Sequence, residues 1–205
     1  MGENKTALSD QVVNALAELG HIGAGNAATS LSVMLSDKLE VTPPAVELYG
    51  FDELTNKIGG PEATVVGILS AFEGELDAMI LFVIGLEDAG KLVRSVMHDE
   101  SADWHTEMGI SAIKEVGNIM IGSYVASMES LTGKKFRYTP PQLCVDMAGA
   151  ILDIPCIHIS KVRDAVLLVD SKFTDGEKEL GGYVMVFSDE HSYDRLLRDL
   201  GVGVD

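Results

Sequence analysis

Cysteine is nearly absent from this chain: Cys144 and Cys156 are the only two in 205 residues. They lack C-x-x-C spacing and sit in apolar surroundings, which argues against a disulfide framework or a thiolate metal centre and predicts two buried free thiols. Positive charge is also scarce. Fifteen Lys and Arg face 32 Asp and Glu, a formal charge of -17 at pH 7, and that field opposes phosphate backbones and anionic lipid, so nucleic acid is not an expected partner. No apolar run reaches the roughly 18 residues of a membrane-spanning helix, so no membrane insertion is expected. The first ten residues, MGENKTALSD, lack the basic and then apolar stretches of a secretory leader, which makes the cytoplasm the expected location. His98, His105, His158 and His191 show no ligand-like spacing, and no metal site of the chain's own is expected.

What is present is a globular composition, 46% hydrophobic and 23% charged, in a chain long enough to bury a sizeable core. Val12, Val13, Leu16, Leu19 and Ile22 recur at helical spacing, with Ser9 placed to cap the helix. Gly20, Gly23 and Gly25 leave room for a close neighbour, and helix packing accounts for them better than a phosphate loop. An extended segment from Leu39 to Thr42 follows, and Pro43 and Pro44 are expected to stop its ladder. Val46 to Phe51 suits a short helix or a strand, and Asn56 to Glu62 a loop. Ala63 to Phe72 and Asp77 to Ile84 read as a hairpin turning at Glu73 to Glu75, and Leu86 to His98 as a closing helix.

After the polar connector Asp99 to Asp103 the plan restarts with a long helix through Met108, Ile113, Val116 and Met120. Gly20, Ile22 and Gly25 are answered by Gly117, Ile119 and Gly122, Lys38 by Lys135, and Pro43, Pro44 by Pro140, Pro141, all 97 residues on. Leu81 and Phe82 align with Met185 and Val186, and Leu92, Arg94 and Val96 with Leu196, Arg198 and Leu200, at an offset of 104. The longer connection falls around Asp175 to Glu179. Gln142 to Ile151 has helical apolar spacing, while Cys156 to Ser160, Ala165 to Asp170 and Gly182 to Phe187 are strand-like. The expected architecture is α/β in the α+β sense, one domain over 1–205. It contains two pseudo-symmetric repeats, about 6–98 and about 104–201, whose strands join in a mainly antiparallel sheet flanked by helices.

Within the second long helix, Ser111, Glu115 and Asn118 stand at i, i+4 and i+7, and so share a stripe away from the apolar face. A lone E-x-x-N would be an ordinary solvated face. Here the pattern extends through 22 residues to Pro141. A carboxamide is no base near neutral pH, but it both accepts and donates hydrogen bonds, so it can hold and orient a water.

The full pattern, Ser111-x3-Glu115-x2-Asn118-x22-Pro141, with the flanking G-N-I-M-I-G-S-Y and T-P-P-Q-L, resembles the signature of the CheC/CheX/FliY phosphatases of chemotaxis signalling. The duplicated plan and the N-terminal G-A-G-N-A-A-T are similar to the CheC branch. The resemblance implies a protein aspartyl-phosphate phosphatase acting on a phosphorylated CheY-type response regulator, with no cofactor of its own and Mg2+ carried by the regulator. It also implies that Asn118 orients the attacking water, Glu115 pairs with a lysine of the regulator, Ser111 helps at the contact edge and Pro141 shapes the adjoining segment. CheD, the receptor deamidase, is a further partner it implies. In the first repeat Glu18 and Pro44 match, while Asn14 and His21 depart from the signature, so that site is expected to be degenerate. The competing reading is a non-catalytic adaptor or flagellar-switch component that docks regulators, or CheD, without hydrolysis.

Overall fold

Strand β3 (Ala78–Gly85) shows how the core divides: Ile80, Phe82 and Ile84 enter one apolar cluster, and Met79, Leu81 and Val83 another. Alternation along a strand sends successive side chains to opposite faces of a sheet, and here both faces are covered, so the whole strand reads as apolar. The computed structural model describes residues 10–36, 40–74, 76–159, 165–174 and 179–202. Helix α1 (Asp10–Leu35), strand β1 (Glu40–Gly50), helix α2 (Phe51–Lys57) and strand β2 (Thr64–Glu73) precede β3, and α3 (Leu86–Met97) follows it. The order then recurs as α4 (Glu107–Thr132), β4 (Arg137–Tyr138), β5 (Gln142–Met147), α5 (Ala148–His158), β6 (Ala165–Thr174), β7 (Glu179–Ser188) and α6 (Glu190–Asp199).

The strands form one seven-stranded sheet in the order β1-β6-β7-β3-β2-β4, with β5 also paired to β2, and every pairing is antiparallel. Leu81 and Met185, which align in the sequence comparison, lie directly opposite each other in the β3–β7 pair. Reading the sheet from either end then gives the same succession of elements, as a two-fold axis between those two residues requires. The strands that precede the hairpin in each half pair with the hairpin of the other half: β1 with β6, and β4 and β5 with β2.

Helices α1, α3 and α4 cover one face, with α6 against α1 through Val12, Leu16, Tyr193 and Leu197. The short helices α2 and α5 cover the other face through Leu54, Ile58, Ile151 and Leu152. A Cβ on Gly23 of α1 would sit 2.6 Å from the buried Tyr124 ring of α4, and the Ser127 hydroxyl lies 3.3 Å from the Leu19 carbonyl. These contacts make α1 and α4 antiparallel neighbours at close range. Nothing lies within 4 Å of a Cβ built at Gly25, so close packing explains Gly23 but not Gly25.

Several sequence expectations change. The ladder does not stop at Pro43 and Pro44: β1 continues to Gly50, with a register shift between Thr42 and Ala45. Its place at the sheet edge tolerates residues that cannot donate. Val46 to Gly50 is therefore strand, with a helix from Phe51 to Lys57 where the loop was expected to begin at Asn56. Gln142 to Met147 is a strand because β2 supplies its hydrogen-bond partners, and only from Ala148 does the predicted helix start. Cys156 to His158 belongs to that helix rather than to a strand. Both cysteines are free, but Cys144 is half-buried and Cys156 is exposed, since the α5 turn carrying it faces outward. Among the methionines, Met79, Met120, Met128 and Met185 lie in the core, while Met108 and Met147 are exposed. The expected Ser9 cap, Asp37, Lys38, Leu39, Glu75, Ser160 and the 175–178 part of the connection lie outside the described residues.

Gly117 brings α4 onto the sheet: a Cβ there would run into Cδ1 and lie 2.7 Å from Cγ2 of Ile68, itself fully buried in β2. Gly117→Ala is expected to lift α4 from β2 and to lower unfolding free energy by about 1–3 kcal/mol despite the gain in helix propensity. Urea denaturation of the two proteins measures it.

Candidate active site on helix α4

Thr106 sets the start of α4, its hydroxyl accepting from the Gly109 N–H at 3.1 Å and donating to the Asp103 carbonyl at 2.8 Å. Such a cap satisfies one of the free donors of the first turn. The apolar side of the helix, Ile113, Val116 and Met120, is buried. Ser111, Glu115 and Asn118 emerge on the opposite side, and all three are exposed. The Ser111 hydroxyl donates to the Glu107 carbonyl one turn back at 2.8 Å, which keeps it against the helix. Neither Glu115 nor Asn118 has a hydrogen-bond or ion-pair partner among the described residues.

Pro141, the fourth residue of the pattern, is half-buried between β4 and β5. The segment leading to it is tied to both the helix and the sheet. Glu129 of α4 accepts from the Lys135 ammonium at 2.6 Å and from the Phe136 N–H at 3.0 Å. The Tyr138 hydroxyl lies 3.4 Å from where a Cβ on Gly122 would be, so Gly122 leaves space for the tyrosine one turn beyond Asn118. Prolines 140 and 141 cannot donate to the ladder, and Thr139 makes up the loss. Its N–H donates to the Ala71 carbonyl at 2.9 Å, its hydroxyl accepts from the Ala71 N–H at 3.1 Å, and its carbonyl accepts from the Ser70 hydroxyl at 2.5 Å.

The structure thus gathers Ser111, Glu115 and Asn118 on one exposed face, and places Pro141 on the anchored segment that returns beside it. Asn14, Glu18 and His21 are likewise exposed on α1, and Pro44 lies in β1. Glu129, Tyr138 and Thr139 lie outside the four-residue signature. Thr139 carries a readable signal, since T-P-P occurs at Thr42 and again at Thr139. Glu129 does not, because its partners become visible only once the chain turns back.

The chain matches the model of the CheC-like family over residues 12–48 and 108–145. Each matched segment holds one helix stripe and one T-P-P. Among known proteins the chain is similar to the CheY-P phosphatase CheC of Bacillus subtilis, 28% identical over 96% of this chain and 97% of that protein. It is also similar to the flagellar motor switch phosphatase FliY of the same organism, 27% identical over 66% of this chain and 36% of that protein. Among solved structures it resembles FliY of Thermotoga maritima, with a TM-score of 0.73 and 19% identity over 95% of this chain and 98% of that one.

Hydrogen bonds from Lys135 and from the Phe136 N–H hold the Glu129 carboxyl below its ordinary pKa. A group with a depressed folded-state pKa adds stability that is complete above its unfolded value and is lost as pH falls through the folded one. The clasp is therefore expected to weaken on acidification. Glu129→Gln should remove that part of the pH dependence, making the loss of stability between about pH 7 and about pH 3 shallower than in the parent. Urea denaturation across that range is the measurement.

Proposed function

We propose that this chain, which belongs to the CheC-like family, hydrolyses the phospho-aspartate of a CheY-type response regulator at the α4 stripe. The observation that carries the reading is the pair Glu115 and Asn118, exposed on one helix face and unpaired within the described chain, above a buried apolar side that fixes their positions. The name of one relative, CheY-P phosphatase, supports the same substrate, and that of the other, flagellar motor switch phosphatase, supports phosphatase activity.

In this mechanism the Asn118 carboxamide orients a water in line with the phosphorus. The water oxygen forms the new P–O bond as the bond to the aspartyl oxygen breaks, and the products are inorganic phosphate and the free carboxylate. Glu115 pairs with a lysine of the regulator and sets the docking geometry, Ser111 lies at the contact edge, and Pro141 shapes the neighbouring segment. Catalysis by positioning draws on orientation and avoided solvent reorganisation rather than on a titrating base. The Mg2+ that the resemblance implies would be the regulator's own, where it would stabilise the negative charge on the phosphoryl oxygens.

The repeats, about 6–98 and about 104–201, are proposed to form one domain, which the exchange of β1 and β5 between halves supports. No helix of the described residues is long and apolar enough to cross a membrane. The cytoplasm is the proposed location, and CheD a proposed second partner, on the family resemblance.

Phosphate release from a phosphorylated CheY-type regulator tests the reading. Asn118→Ala and Glu115→Ala are each expected to lower it by about a hundredfold, the loss that follows when a positioned water or docked partner is misplaced. His21→Ala is expected to leave it within about twofold. Hydrolysis no faster than the regulator's own under conditions where the two proteins bind would favour the adaptor reading.

A further inference from the structure

The polar stripe on α4 has a fourth place that carries no side chain of its own. One turn on from Asn118 the same face reaches Gly122, and the Tyr138 hydroxyl stands 3.4 Å from where a Cβ there would be. Cα–Cβ bonds tilt toward a helix N-terminus, so the space that Gly122 leaves and Tyr138 borders leans toward Asn118. Cβ positions one turn apart lie about 5–6 Å from each other. That is within the reach of one water making two hydrogen bonds of about 2.8 Å each. Neither the Asn118 carboxamide nor the Tyr138 hydroxyl has a hydrogen-bond partner among the described residues. The tyrosine itself is held firmly: β4 pairs it with Phe72, its ring packs against the core beneath α4, and the Glu129 and Thr139 anchors flank it in the chain.

We propose that Tyr138 is a second water-holding residue of the α4 site, its phenolic oxygen accepting one hydrogen of the water whose other hydrogen the Asn118 carboxamide accepts. The proposal rests on the reading of α4 given above. A water held by one acceptor turns freely about that bond, whereas two acceptors fix it and leave an oxygen lone pair directed at the phosphorus. As that lone pair forms the P–O bond, the bond to the aspartyl oxygen breaks and its electron pair stays with the carboxylate. Both hydrogens of the water leave with the phosphate, which then ionises to solvent, so neither Asn118 nor Tyr138 changes protonation state. The first repeat lacks both holders. At the offset of 97, His21 stands for Asn118 and Val41 for Tyr138, while the matching glycine, Gly25, has nothing among the described residues within 4 Å of its Cβ position. The hydroxyl and the carboxamide are therefore present together in one repeat and missing together in the other.

Steady-state phosphate release from a phosphorylated CheY-type regulator, measured with the full chain, separates kcat from KM. Tyr138→Phe keeps the ring and its packing, and urea denaturation checks that the fold is retained. The change is expected to lower kcat about tenfold, the loss of one neutral hydrogen bond to the reacting water, and to leave KM within about twofold. On an Asn118→Ala background it is expected to cost less than about threefold, because both residues act on the same water. The proposal is overturned if Tyr138→Phe leaves kcat at the parent value, if it raises KM instead, or if its full loss recurs beside Asn118→Ala. A parent that binds the regulator without hydrolysing it, or an Asn118→Ala chain as active as the parent, would instead overturn the α4 reading, and the role of Tyr138 with it.

Discussion

The antiparallel pairing of β3 with β7 is the constraint on which the rest of the structure depends. It sets Leu81 against Met185 at the centre of the sheet, both fully buried, and so places the two hairpins back to back. Their outer strands, β2 and β6, would then be open edges. Each is covered by a strand from the other half, β5 on β2 and β1 on β6. Neither half completes its own share of the sheet, and separating them would expose backbone donors and acceptors on both sides of the cut.

Helix placement follows from that sheet. Gly117 lets α4 descend onto Ile68 of β2, while Gly23 receives Tyr124, so α1 and α4 lie close together on one face. With its apolar side committed to the core, α4 can present polar residues only outward. The prolines before β5 interrupt its pairing with β2, and Thr139 restores the anchorage through Ser70 and Ala71. A water-positioning site requires such support, because it gains from fixed geometry rather than from an inherently reactive side chain.

The Ser111, Glu115 and Asn118 stripe was legible because helical neighbours are local: three positions and a period of 3.6 residues place them on one face. The duplication was legible for a related reason, since matched residues at offsets of 97 and 104 need no knowledge of contacts. By contrast, Leu143, Val145, Met147, Ile151 and Leu152 carry apolar spacing compatible with a helix, yet the segment divides at Ala148 into strand and helix. Its strand exists because β2, more than 70 residues earlier, offers bonding partners. Likewise Pro43 and Pro44 read locally as an end to pairing, and only the edge position of β1 lets the strand resume. Glu129 looked like any other charge on a helix until Lys135 and Phe136 returned to meet it.

By itself the sequence determined two copies of one plan, a polar stripe on each long helix, and the difference between Asn118 and His21. All of these are local patterns or comparisons of like with like. Tertiary structure alone decided that the copies exchange the strands that precede their hairpins, that Leu81 and Met185 meet at the centre, and that Thr139 ties the segment before Pro141 to β2. The physical reason is that strands acquire hydrogen-bond partners from distant parts of the chain, and the same apolar spacing permits more than one local structure until those partners are in place.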